Sequence, residues 1–158
     1  MKTAIIALSL LVAAGIAVSA AAGKTTARTL TWHLVEKDAG FNFVDNPPRQ
    51  GDNAPPLIGD QFVFTNELRT KSGQHAGWLN AMCTVSTGGT HAAGPCYGGF
   101  SFAGGTILGM TIANFASDKQ EITIVGGTGV YRGASGWVES INRPNTPYSD
   151  DTFHIVLP

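Results

Sequence analysis

The sequence predicts an all-β domain of about eight short antiparallel strands, either a sandwich or a closed barrel. Three observations predict it. Apolar and polar residues alternate over one short segment after another. Turn-forming Gly, Asn, Asp and Ser clusters separate those segments. No window carries a long amphipathic helix.

The elements follow in order. In 29–36, Leu30, Trp32 and Leu34 share one face and Thr31, His33 and Val35 the other. Phe41, Phe43 and Val44 form a second short apolar segment, and a loop with prolines at 47, 48, 55 and 56 runs on to Asp60. The segment 61–69 alternates, with Phe62, Phe64 and Leu68 on one side. Segments 77–86 and 97–102 flank a Gly-rich hairpin that holds both cysteines, and 106–115, 121–125, 137–141 and 152–156 complete the set.

The chain begins with Lys2, an apolar run over 4–18, and the small residues Ser19, Ala20, Ala21 and Ala22. That order is the one a secretory signal needs, so residues 1–22 are expected to be removed, leaving 23–158 as one domain. An even pair of cysteines, Cys83 and Cys96, in an exported chain reads as a disulfide. Facing them across antiparallel strands sets Leu79 opposite Phe100, Met82 opposite Tyr97 and Trp78 opposite Ser101. Both faces of that hairpin then carry large apolar groups. An ordinary outer wall has one polar face. An apolar lumen combined with a second covered surface, such as a subunit contact, accounts for both.

Charge narrows the function classes. Lys plus Arg is 10 against 11 Asp plus Glu, which leaves no electrostatic footprint for a nucleic acid. With 43% hydrophobic residues and 13% charged ones, the chain is too apolar to be disordered.

The densest motif is Gly126-Gly127-Thr128-Gly129-Val130-Tyr131-Arg132-Gly133. It lacks the Lys-Ser or Lys-Thr ending of a phosphate loop and opens no helix, so it reads as a tight turn. Arg132, its one charge, either reaches solvent or holds a developing oxyanion inside a cavity. The histidines 33, 75, 91 and 154 have no metal-ligand spacing, and no metal is expected. Glu36, Asp38, Asp45 and Asp60 end segments and read as turn or solvent-facing groups. Glu67 sits inside an alternating strand, so either it or Asn66 faces inward as a polar group in an apolar site.

The residues Asp60-Gln61-Phe62-Val63-Phe64, the cysteine hairpin and the run from Ile124 through the Gly-rich turn to Gly136 resemble the allene oxide cyclase and dirigent barrel superfamily, its bacterial exported branch most of all. The resemblance spans about residues 29–158 and implies an eight-stranded antiparallel closed barrel, commonly a homotrimer, with an elongated apolar lumen. Plant dirigent proteins steer the coupling of phenoxy radicals or quinone methides; the plant cyclases close a fatty-acid epoxide into a cyclopentenone. Residue by residue, His33 and Val35 align with the catalytic Glu and water-holding Asn of the first cyclase strand, and Val35 has no group to hold a water. Arg132 is similar to the dirigent lumen Arg, and Asn66-Glu67 stand where the dirigent proteins carry paired acids.

The resulting expectation is a barrel that binds a small apolar or phenolic molecule and guides its cyclisation or coupling with no cofactor. Arg132, Glu67 and His33 are the catalytic candidates. Trp32, Asn66, Tyr97 and Tyr131 are the candidate ligand contacts. The alternative is a secreted binding or envelope-associated protein without chemistry.

Overall fold

The computed structural model describes residues 26–46 and 54–158. The signal segment and residues 47–53 of the Pro-rich loop lie outside them. Eight strands follow one another: β1 (Arg28–Val44), β2 (Gln61–Thr70), β3 (His75–Thr84), β4 (Ala93–Phe102), β5 (Gly105–Asn114), β6 (Lys119–Gly127), β7 (Ser135–Asn142) and β8 (Tyr148–Leu157). Each pairs antiparallel with the next, and β8 pairs with β1, so the sheet closes into a barrel without a free edge. Two single-turn 3-10 segments, Gly89–His91 and Gly129–Tyr131, are the only helical elements among the described residues.

Closure sends alternate residues inward. Leu68, Ile107, Val138, Phe153 and Ile155 are fully buried there, together with Phe100 and Leu79. Each such side chain stabilises the fold by about 1.5–3 kcal/mol relative to exposure. The cysteines pair as expected: Cys83 and Cys96 form a disulfide between directly opposed residues of β3 and β4, and Leu79–Phe100, Met82–Tyr97 and Trp78–Ser101 are in register.

One element differs from the sequence expectation. Residues 29–36 and 41–44 are not separate strands but one 17-residue strand, β1. The pairing with β2 slips between Asp38 and Gly40. This bulge shifts the alternation by one residue, so Phe41 and Phe43 return to the side of their partners Phe64 and Phe62. A broken alternation reads in a sequence as two segments.

One end of the barrel is closed by aromatic rings. Trp32 stands edge-on to Phe102 at 5.3 Å and to Tyr131 at 5.8 Å between centroids, and Phe153 stands edge-on to Phe100 at 4.9 Å. The Gly-rich turn brings Tyr131 there. Gly129 has φ +60°, and a Cβ on it would meet the Gly104 carbonyl oxygen at 2.2 Å. Backbone packs directly on backbone at this point, which only glycine permits.

Candidate functional site

The other end of the lumen is open. The inner row Ala81, Gly98 and Gly109 lies on the neighbouring strands β3, β4 and β5. Their small side chains leave space between the Cys83–Cys96 level and the Leu79–Phe100 level. The result is a cavity of about 430 Å³, a size that suits a small organic ligand. Its walls are mainly apolar, with Phe62, Phe64, Leu79, Phe100 and Ile122 among them, and the disulfide borders it. Phe62 packs edge-on to Phe115 at 4.8 Å across the mouth, and Phe41 extends this aromatic collar.

Polar groups gather on one side. Glu36 from β1 and Asn66 from β2 line the cavity, with Ser140 and Asn142 from β7 and Ser149 from β8. The Asn66 side-chain amide donates to Glu36 Oε1. Ser149 donates to Asn142 Oδ1 at 2.9 Å. Asp151 points inward from β8, opposite Leu34 on β1 and Ser140 on β7. Glu36 is 8% exposed and Asp151 1%.

Burial sets the electrostatics of this pair. Loss of water pushes the Glu36 carboxyl above its ordinary range, while hydrogen bonding with Asp151 and Asn66 pulls it back. Burial pushes Asp151 much further, and the neighbouring Glu36 charge adds to the rise. Ser140 lies near enough to favour the charged form, yet no hydrogen bond of ordinary geometry reaches either Asp151 oxygen. The contact is satisfied when Asp151 keeps its proton and donates it to ionised Glu36. Both shifts act against ionising the two groups together, Asp151 most of all, and neighbouring carboxyls of this kind titrate as a unit.

The structure places the sequence candidates differently. Asn66 lies at the cavity, bonded to Glu36. Glu67, its neighbour, faces the outside, where Arg69 at 2.6 Å and His75 at 3.0 Å hold its carboxyl below the usual range. His33 is exposed and contacts the Thr152 hydroxyl at 3.2 Å. Arg132 is also exposed, because the 3-10 turn that buries Tyr131 directs the next residue out. The three catalytic candidates thus lie outside the lumen and apart from one another. The inward residues of β1 are Trp32, Leu34 and Glu36, so the alignment that set His33 and Val35 at the lumen is corrected by the pleat.

Trp32 and Tyr131 belong to the aromatic plug rather than to the cavity wall. Tyr97 borders the cavity between Cys96 and Gly98, but its ring is 50% exposed and its hydroxyl is 4.0 Å from the Met82 sulfur on the outer face. Glu36 and Asp151 were missed. The signal for Glu36 was its place two residues beyond Leu34 on the apolar face of the first strand. Asp151 carried a weaker one, two residues before Phe153.

Comparison with solved structures assigns the architecture. The barrel superposes on pyocyanin demethylase with a TM-score of 0.67 at 17% identity, covering 79% of this chain and 99% of that one. The fold is that of the dirigent-like barrels. An exo-specific intermolecular Diels-Alderase matches with a TM-score of 0.63 at 15% identity over 84% of this chain and all of its own. A pterocarpan synthase dirigent protein matches at 0.63 and 18% identity, over 82% of this chain and 94% of its own. No protein-family model and no curated protein sequence matches the chain. Identities this low establish the shared fold and leave the chemistry to the residues of the lumen.

Proposed function

We propose that this dirigent-like barrel binds a small, largely apolar or phenolic molecule in its lumen and guides its cyclisation or coupling by proton transfer through Glu36 and Asp151. The observation that carries this reading is the pair of buried carboxyls, Glu36 on the wall of an apolar cavity and Asp151 on the neighbouring strand. Such a pair contains an acid and a base at once. Glu36 faces the ligand and exchanges the proton with it; Asp151 behind it keeps the charge of the pair at one. A ring closure that takes up one proton and releases one is redox-neutral and needs no further reagent. The Diels-Alderase and dirigent neighbours agree with a barrel that holds a reactive molecule in one folded conformation.

Export is part of the proposal. The signal-like residues 1–22 and the Cys83–Cys96 disulfide support it. Among the described residues no helix is long and apolar enough to cross a membrane. We also take the outer face of β3, β4 and β5 to be a contact between copies of the chain, a homotrimer by resemblance. Met82, Tyr97 and Met110 follow one another there across paired strands, with Trp78, Leu108 and Ile112 beside them.

Citronellal tests the chemistry. It is an apolar aldehyde that closes to isopulegol by protonation at oxygen and loss of a proton from carbon. The protein is expected to accelerate this closure and favour one stereoisomer, and Glu36→Gln is expected to remove about 100-fold of the acceleration. Closure at the buffer rate, with the aldehyde bound, overturns the proton-transfer reading.

A further inference from the structure

The cavity has a one-sided charge. Among the described residues that line it, the charged side chains are Glu36 and Asp38, and none is Lys, Arg or His. Asp151 adds a second carboxyl behind Glu36, fully buried and with no donor of ordinary geometry on either oxygen. Asp150 faces the outside, where Arg143 binds it at 2.6 Å. Among the described residues, the lumen carboxylates therefore have no cation of their own. A buried charge lacking a counter-ion is costly, and the cost is relieved when a partner of opposite sign arrives.

An apolar ligand bearing an anionic group meets the reverse situation. Its carboxylate or phosphate would lose water and then face two or three carboxyl groups across a low-dielectric space. A neutral hydroxyl gains a single hydrogen bond. A protonated amine gains a charge-assisted one in a site where water is scarce.

We propose that the lumen takes ligands built from an apolar ring system and a basic nitrogen, seated with the nitrogen against Glu36 and the rings among Phe62, Phe64, Leu79 and Phe100. This deepens the preceding reading and rests on it, since it names the charge of the molecule that the same cavity holds. It also assigns the direction in which charge develops: the site favours positive charge on the ligand, the opposite of an oxyanion hole built on an arginine. Its pH response is governed by Glu36 on β1 and Asp151 on β8; Asp38 on β1 and Asp150 on β8 are the nearby charges, and Asn66 on β2 and Ser140 on β7 face the pair as neutral neighbours.

Three probes of nearly equal shape separate the possibilities: 2-naphthylmethylamine, 2-naphthalenemethanol and 2-naphthoate. Their affinities for the full mature chain are read by calorimetry at neutral pH. The amine is expected to bind about 10-fold or more tightly than the alcohol, the range that a hydrogen bond to a charged group supplies. The naphthoate is expected to bind most weakly. In the Glu36→Gln, Asp151→Asn double variant the preference for the amine should fall to about 2-fold or less. Should that variant fail to fold, the native protein gives the same information, because the preference must shrink as acid protonates the pair. An alcohol that binds as tightly as the amine overturns the charge preference and leaves a cavity for apolar molecules standing. Tighter binding of the naphthoate overturns it outright. Failure of all three probes to bind overturns both this proposal and the cavity reading beneath it.

Discussion

Glu36 on β1 and Asp151 on β8 are two buried carboxyl groups set side by side by strands that pair directly when the barrel closes. Closure is what makes the contact. The two residues are 115 positions apart, and only the pairing of the first strand with the last joins them.

The first prediction concerns stability against pH. The folded state holds the Asp151 proton more tightly than the unfolded chain does. As pH rises above the ordinary Asp range of about 4, the unfolded chain releases that proton first, and folding loses free energy. The stability associated with Asp151 is thus present in acid and lost as pH rises toward its raised native value. Asp151→Asn removes the dependence. Urea unfolding from about pH 4.5 to pH 8 should show the variant gaining on the native protein throughout. Parallel curves would contradict the buried-proton assignment.

The second concerns the cavity. Ala81→Phe projects a ring into the space that Ala81, Gly98 and Gly109 leave open. It should cut the affinity for 2-naphthalenemethanol by about 10-fold or more while the barrel remains folded by circular dichroism. Arg132→Ala, which alters an exposed side chain, should leave that affinity within about 2-fold. A loss on Arg132→Ala as large as that on Ala81→Phe would return Arg132 to the binding site.

The third concerns the disulfide. Cys83 and Cys96 are separated by 13 positions, and both are buried at the cavity wall. Closing a loop of this size stabilises the fold by about 3 kcal/mol in the chain-entropy account. The Cys83→Ala, Cys96→Ala variant should unfold at correspondingly lower urea. No change in the midpoint would show that the cross-link contributes nothing beyond the β3–β4 pairing.

The fourth concerns assembly. Tyr97→Glu with Met110→Glu sets two like charges side by side on the apolar outer face. If that face joins copies of the chain, light scattering should show the native protein as an oligomer and the variant as a monomer. A native monomer would leave the exposed band without this role.

Much of the fold was legible because β structure writes its period directly into residue order. Trp32 and Leu34 mark the inner side of β1, and Phe62, Phe64 and Leu68 the inner side of β2. The disulfide then fixed the β3–β4 register down to Leu79 opposite Phe100. The site was less legible, since alternation identifies two faces but does not say which one is enclosed. Glu67 and Asn66 were equivalent by pattern, and the barrel put Asn66 inside. Arg132 follows a turn whose backbone geometry decides its direction, and that geometry depends on contact with Gly104. Asp151 acquires its meaning from Glu36, through a pairing that no local pattern records.

The central claim is that Glu36 and Asp151 share one proton inside an apolar lumen. A carboxyl-carbon NMR titration of the mature protein, labelled at Asp and Glu and assigned with Glu36→Gln and Asp151→Asn, tests it most directly. The account predicts that Asp151 stays protonated well above the ordinary Asp range, that Glu36 titrates above its own, and that each substitution moves the resonance of the other residue. Two independent titrations near pH 4, unmoved by either substitution, would contradict it.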